Sequence, residues 1–212
     1  GNSGTGARLI LALLAGTEGR FTVDGTPRLR ERPMGPLLEA LRNLGASLAA
    51  GTGGGLPVSL HGHPLAGGAV AIAPAMSSQF VTALLLVAPA MSVGLELEIA
   101  GELPSAPYLD LTEDVLRKFG ATVERSADRR MWRVGPGGLA PTTYRVEGDW
   151  SAAAFGLAAA AVAGGWVEIG PLDPASAQGD RAVWELLERA GVRIERCGDG
   201  LRATGPASRP VH

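Results

Sequence analysis

The chain has 212 residues, 46% hydrophobic and 19% charged, with a formal net charge of −2. The apolar fraction excludes a disordered polymer, and the near-neutral balance leaves no global field to steer the chain onto nucleic acid or an anionic membrane. The length has room for one large domain or two small ones.

A single cysteine, Cys197, excludes an intrachain disulfide framework and a thiolate metal cage. No 18 consecutive residues are apolar, so a membrane-spanning helix is not expected. The sequence starts without Met and without a charged-then-apolar leader. Of the 19 basic residues only Lys118 is a lysine, on the expected solvent face of a helix beside Arg117.

A small polar start, Gly1-Asn2-Ser3-Gly4-Thr5-Gly6, leads into residues 4–15, which are apolar nearly all round and predict a buried helix. A strand is expected near 20–25. Arg28, Arg30 and Arg32 follow. If that stretch is extended they share one side, and an Arg fork matches a carboxylate or phosphate; the alternative is a solvated loop with surface ion pairs. Pro33 marks the start of an amphipathic helix running to Gly45, the residue that most easily takes a left-handed cap. Strands are expected near 46–50 and 57–61 around the turn-rich residues 51–55. His61 and His63 sit two apart at a strand end without a third ligand nearby, so no metal is expected.

A strand at 69–73 leads to Ser77-Ser78-Gln79 and a second apolar helix over 78–90. A strand at 94–100, an amphipathic helix over 111–120 and strands at 121–126 and 130–135 follow. After the turn-rich residues 136–141 come a strand at 142–147, an apolar helix over 151–163 and a strand at 166–169. An amphipathic helix over 182–191, strands at 192–196 and 200–204, and a tail over 206–212 complete the chain. Cys197, in the last hairpin with no adjacent His, reads as inert.

Two trios set a repeat. The glycines closing the amphipathic helices, Gly45, Gly120 and Gly191, are 75 and 71 residues apart, and the apolar helices start at 4, 78 and 151, which are 74 and 73 apart. A unit of about 73 residues with the order βαβαββ results, far longer than solenoid repeats. The chain holds two whole units and a first one without its leading strand.

Helix N-termini carry unsatisfied N–H groups and partial positive charge, so the starts at Gly1–Gly6 and Ser77-Ser78-Gln79 are candidate anion sites or ordinary caps. Asp149, at the start of the third apolar helix, serves either proton transfer or capping. Trp132 and Trp184 read as structural, and Trp150 stands where a small residue would be expected.

Asn2-Ser3-Gly4-Thr5, Arg30-Glu31-Arg32-Pro33, Ser77-Ser78-Gln79-Phe80, Ser105-Ala106-Pro107-Tyr108, Glu147-Gly148-Asp149 and Gln178-Gly179-Asp180 occur in one order. Together they resemble the 3-phosphoshikimate 1-carboxyvinyltransferase (EPSP synthase) family over nearly the whole chain. The resemblance implies an α+β fold of repeated βαβαββ units in an inside-out α/β barrel, with about three of six units present. Residues 1–140 would form most of the second domain, 141–205 one unit of the other, and 206–212 a tail. It implies transfer of the enolpyruvyl group of phosphoenolpyruvate to the 5-hydroxyl of shikimate 3-phosphate through a tetrahedral intermediate. It also implies a cytoplasmic reaction without cofactor or metal, and no nucleic-acid or membrane partner is expected.

By the same resemblance Asn2, Gly4, Thr5 and Arg32 face phosphoenolpyruvate, with Gly4 also lining the glyphosate site. Ser77 and Ser78 hold the phosphate of shikimate 3-phosphate, Gln79 faces both substrates, and Ser105 and Tyr108 contact the shikimate side. Ala7, Leu9 and Trp150 depart from the family pattern. The family's amino-end lysine, its proton-accepting Asp and later Glu, Arg and Lys residues have no match here. Only Asp149 stands as a weak catalytic candidate, the chain is expected to be inactive alone, and the missing half of the enzyme is an expected partner. The alternatives are a relative of UDP-N-acetylglucosamine enolpyruvyl transferase, for which Cys197 is misplaced, and a non-catalytic binding module of the same fold.

Overall fold

The first helix, α1 (Gly4–Ala15), begins where Ser3 stops being helical and its Oγ accepts a hydrogen bond from the Gly6 N–H at 3.1 Å. The computed structural model that shows this describes residues 1–73, 77–101 and 105–206. Two units of chain, Gly1–Thr142 and the described residues from Thr143 onward, each fold around cores of their own.

In the first unit, α1 is followed by β1 (Gly19–Val23), a short helix α2 (Pro27–Arg30), α3 (Gly35–Asn43), β2 (Ser47–Ala50) and β3 (Val58–Gly62). The next repeat runs β4 (Gly68–Ile72), α4 (Gln79–Val87), β5 (Leu95–Ile99), α5 (Pro107–Lys118), β6 (Val123–Arg125) and β7 (Met131–Val134). That is the βαβαββ order expected from the spacing. In the second unit α6 (Trp150–Ala163), β8 (Trp166–Ile169), α7 (Val183–Arg189), β9 (Arg193–Cys197) and β10 (Gly200–Thr204) follow one another.

The repeat is also visible in the strand pairing. The last strand of each repeat sits between two antiparallel neighbours: β3 between β1 and β2, β7 between β5 and β6, β10 between β8 and β9. In the middle repeat β4 adds in parallel to β5. Alternation along β5 buries Leu95, Leu97 and Ile99 while Glu96 and Glu98 face water, as one covered sheet face requires. The glycines after α3, α5 and α7 take positive φ, 101° at Gly45, 86° at Gly120 and 89° at Gly191, a region costly for any residue with a Cβ.

α4 is the pillar of the first unit. Phe80, Val81, Ala83, Leu84 and Leu85 are buried, and the helix packs on α1, α3 and α5. Sequence reading made all three apolar helices buried, and here the structure differs. α1 turns Gly4, Ala7, Arg8, Leu11, Ala12 and Ala15 inward but leaves Leu13 53% exposed. α6 buries Trp150, Ala153, Leu157 and Ala160 and leaves Phe155 80% and Val162 89% exposed. With one sheet of three strands against it, that helix finds a partner for one face only.

Three further expectations are corrected. Residues 142–147 form no strand: Val146 is 75% exposed and no ladder partner lies alongside among the described residues. Residues 27–30 are helical rather than extended, so Arg28 and Arg30 diverge, Arg28 to Glu31 at 2.8 Å and Arg30 to Asp24 at 2.5 Å. The helix after Pro33 begins at Gly35, with Met34 as its buried cap residue. Residues 207–212 of the expected tail lie outside the described residues.

Candidate functional site

Three helices point their N-termini at one cavity of about 420 Å³ in the first unit. Thr5 comes from the first turn of α1, Ser77, Ser78 and Gln79 from the start of α4, and Ser105 and Tyr108 from the start of α5. Thr82, Leu111 and Thr112 complete the lining. Each helix start presents N–H groups and partial positive charge, so three converging starts favour an anion. Among the described residues no carboxylate, lysine or histidine lines the cavity.

Local chemistry sets these side chains. Ser77 Oγ accepts from the Gln79 N–H at 3.2 Å, so Ser77 caps α4, while Ser78 is buried and makes no capping bond. Ser105 holds φ at +58°, a conformation rare for a residue with a side chain, and its carbonyl accepts from the Tyr108 N–H at 3.1 Å. Thr112 donates to the Tyr108 carbonyl at 2.8 Å and lies 3.3 Å from Thr82 Oγ1.

Beside the cavity, Arg32 folds over Gly4. A methyl placed on Gly4 would stand 2.6 Å from Arg32 Nη1, so the close approach needs the missing side chain. Arg32 makes no ion pair among the described residues. Asn2 Oδ1 accepts from Thr26 Oγ1 at 3.2 Å, which ties the loop before α1 to the turn before α2. Of the sequence-selected residues, Thr5, Ser77, Ser78, Gln79, Ser105 and Tyr108 line one cavity. Gly4 and Arg32 adjoin it through Thr5, Asn2 stands at the loop, and Asp149 belongs to the second unit.

Asp149 accepts from the Ser151 N–H at 2.8 Å and the Ala152 N–H at 3.2 Å, so its carboxylate caps α6. Trp150 is fully buried, its Nε1–H donating to the Asp173 carbonyl at 3.1 Å, with the Trp184 ring 6.3 Å away. A hydrogen bond from Cys197 to Glu168 raises the thiol pKa, which suppresses the reactive thiolate.

Sequence reasoning missed Arg8, Thr82, Leu111 and Thr112. Arg8 is the single charged residue of α1, and one charge inside an otherwise apolar helix is the signal that could have found it. It is only 7% exposed, donates from Nη1 to Gln79 Oε1 and from Nη2 to the Pro33 carbonyl at 3.1 Å, and lies 4.7 Å above the Phe80 ring.

Triplicated α/β packing with a hydroxyl-lined cavity at helix starts defines a repeat-built α/β protein. A family model described as EPSP synthase (3-phosphoshikimate 1-carboxyvinyltransferase) matches residues 1–211. The chain belongs to the EPSP synthase family. A 3-phosphoshikimate 1-carboxyvinyltransferase of Shewanella denitrificans is 42% identical over 198 residues, covering 92% of this chain and 46% of that relative. One of Shewanella sediminis is 39% identical over 213 residues, covering all of this chain and 50% of the relative. An EPSP synthase structure from Acinetobacter baumannii aligns with a TM-score of 0.73 at 26% identity, covering 97% of this chain and 47% of that one. The chain spans about half the length of the curated relatives it matches. These matches do not favour the UDP-sugar enzyme or the non-catalytic module.

Proposed function

We propose that this chain supplies a substrate-binding face of an EPSP synthase in the cytoplasm. The whole enzyme moves the enolpyruvyl group of phosphoenolpyruvate onto the 5-hydroxyl of shikimate 3-phosphate and releases phosphate. The convergence of three helix N-termini on a hydroxyl-lined cavity carries the reading. A phosphate dianion gains from each helix start and from the hydroxyls of Ser77, Ser78 and Ser105, while Tyr108 borders the ring of the same ligand. Arg32 over Gly4, without an ion pair among the described residues, is the guanidinium fork assigned to the second anion, phosphoenolpyruvate. Among the described residues no carboxylate, lysine or histidine lines the cavity, so the main acid–base agents are assigned elsewhere. Binding without turnover by this chain alone follows.

Calorimetric titration of the 212-residue chain with shikimate 3-phosphate tests the reading, with shikimate as the control lacking phosphate. Binding of the phosphate ester that weakens about tenfold or more in Ser78→Ala is expected, from the loss of one hydrogen bond to a charged group. Equal affinity for the two ligands, or none with the fold intact, refutes it. A phosphate-release assay accompanies it, and turnover by this chain alone would contradict the assignment of acid–base chemistry to groups elsewhere.

A further inference from the structure

Among the described residues Arg8 is a buried cation with no acid to match it. There its guanidinium meets neutral groups: the Gln79 amide oxygen, the Pro33 carbonyl and the Phe80 ring. Its Nε is buried and has no hydrogen-bond partner among the described residues. Burial first, and then the like charge of Arg32, hold its pKa below the ordinary value. Buried charges are normally paired, so an unpaired one calls for a use.

Gln79 shows what that use is. A carboxamide has an accepting end and a donating end of nearly the same shape, and its neighbours decide which way it points. Arg8 has only donors, so Gln79 must give it Oε1. The Nε2 end is then the one left for the cavity that Gln79 lines. The second contact, to the carbonyl of Pro33, fixes the backbone directly after Arg32. One guanidinium therefore holds two parts of the site.

We infer that Arg8 is a positioning residue that locks the Gln79 amide with its oxygen inward and its NH2 toward the ligand, and anchors the segment carrying Arg32. The role rests on the reading of the cavity as the site for shikimate 3-phosphate. It makes the cavity wall a donor at Gln79 and selects acceptor-rich ligands.

The test uses the 212-residue chain and Arg8→Met, Arg8→Lys and Gln79→Glu. Side-chain 15N relaxation of Gln79 is read without ligand. A rigid Nε2, with an order parameter near 0.85 in the wild type falling below about 0.6 in Arg8→Met, is expected. Calorimetry with shikimate 3-phosphate should show a roughly tenfold or greater loss in Arg8→Met at an unchanged or raised melting temperature, because removing an unpaired buried charge is not destabilising. Arg8→Lys keeps a donor for Oε1 and should bind within about threefold of wild type. Gln79→Glu gains an ion pair with Arg8 yet presents an acceptor to the cavity, so it should melt no lower and bind at least tenfold more weakly. A mobile Gln79 amide in the wild type overturns the proposal, as does an Arg8→Met protein that melts lower and binds within twofold. If no variant, wild type included, binds the phosphate ester, the substrate reading fails, and the amide measurement alone still decides the role of Arg8.

Discussion

Replacing Gly62 by alanine should destabilise the first unit, and the size of the effect follows from two atoms. Gly62 ends β3, where the strand passes under the C-terminus of α1. A methyl there would stand 1.9 Å from the Thr17 carbonyl oxygen and 2.2 Å from that of Leu14. Ordinary contact begins near 3.4 Å, so strand and helix end must part by more than an ångström. Both obstacles are backbone and neither can rotate away. The His63 N–H to Ala15 carbonyl bond of 3.2 Å, the next tie between the same elements, goes with the shift. Overpacking costs about 1–3 kcal/mol and a lost hydrogen bond about 0.5–1.5, so a loss of about 2–4 kcal/mol is expected. For a unit of this size each kcal/mol moves the melting temperature by roughly 3 °C, giving a fall of roughly 6–12 °C. Urea and thermal unfolding followed by circular dichroism measure it. Gly35→Ala is the control: it opens α3 with nothing within 4 Å and should stay within about 0.5 kcal/mol. A Gly62→Ala protein as stable as that control would show that the helix–strand approach is not the constraint described.

Glu113 is nearly buried on α5 between Arg117 Nη1 at 2.5 Å and Arg125 Nε at 3.2 Å, yet those arginine side chains are 54% and 31% exposed. Glu113→Gln should therefore cost about 1–2 kcal/mol, less than a fully enclosed pair, and an unchanged urea midpoint would refute it. Glu168 holds the Cys197 thiol pKa up, so Glu168→Gln should speed alkylation of Cys197 by iodoacetamide at pH 8, and an unchanged rate would count against the contact. Hydrogen bonds from Arg30 and Arg202 depress the Asp24 and Glu168 carboxyls below their ordinary values of 3.8 and 4.5. Their contribution is complete above those values and is lost as pH falls through the lower folded ones. Carbon-13 titration of the side-chain carboxyls should place both midpoints below ordinary, and normal midpoints would discard the pairs.

Local chemistry made much of the fold legible in the sequence. Helix hydrogen bonds close within four residues, so an apolar period, a polar cap and a terminal glycine suffice to place α1, α3, α5 and α7 within a few residues. Two such signals at one spacing disclosed the repeat before any pairing was known. The same local logic marked Ser77, Ser78 and Thr5 as helix starts able to receive an anion.

Tertiary structure decided the rest. A strand exists only where a second strand completes its ladder, and the alternating residues 142–147 find none among the described residues, so they form no strand and Val146 stays exposed. The apolar surface of α6 reads as core from its composition, but burial needs a second layer, and among the described residues one face has none. Arg28, Arg30 and Arg32 look equivalent along the chain, and one turn of helix sends two to surface acids and leaves the third over Gly4. A separation of 71 positions along the chain hides the contact of Arg8 with Gln79, because hydrogen bonding between side chains depends on distance in space and is blind to distance along the chain.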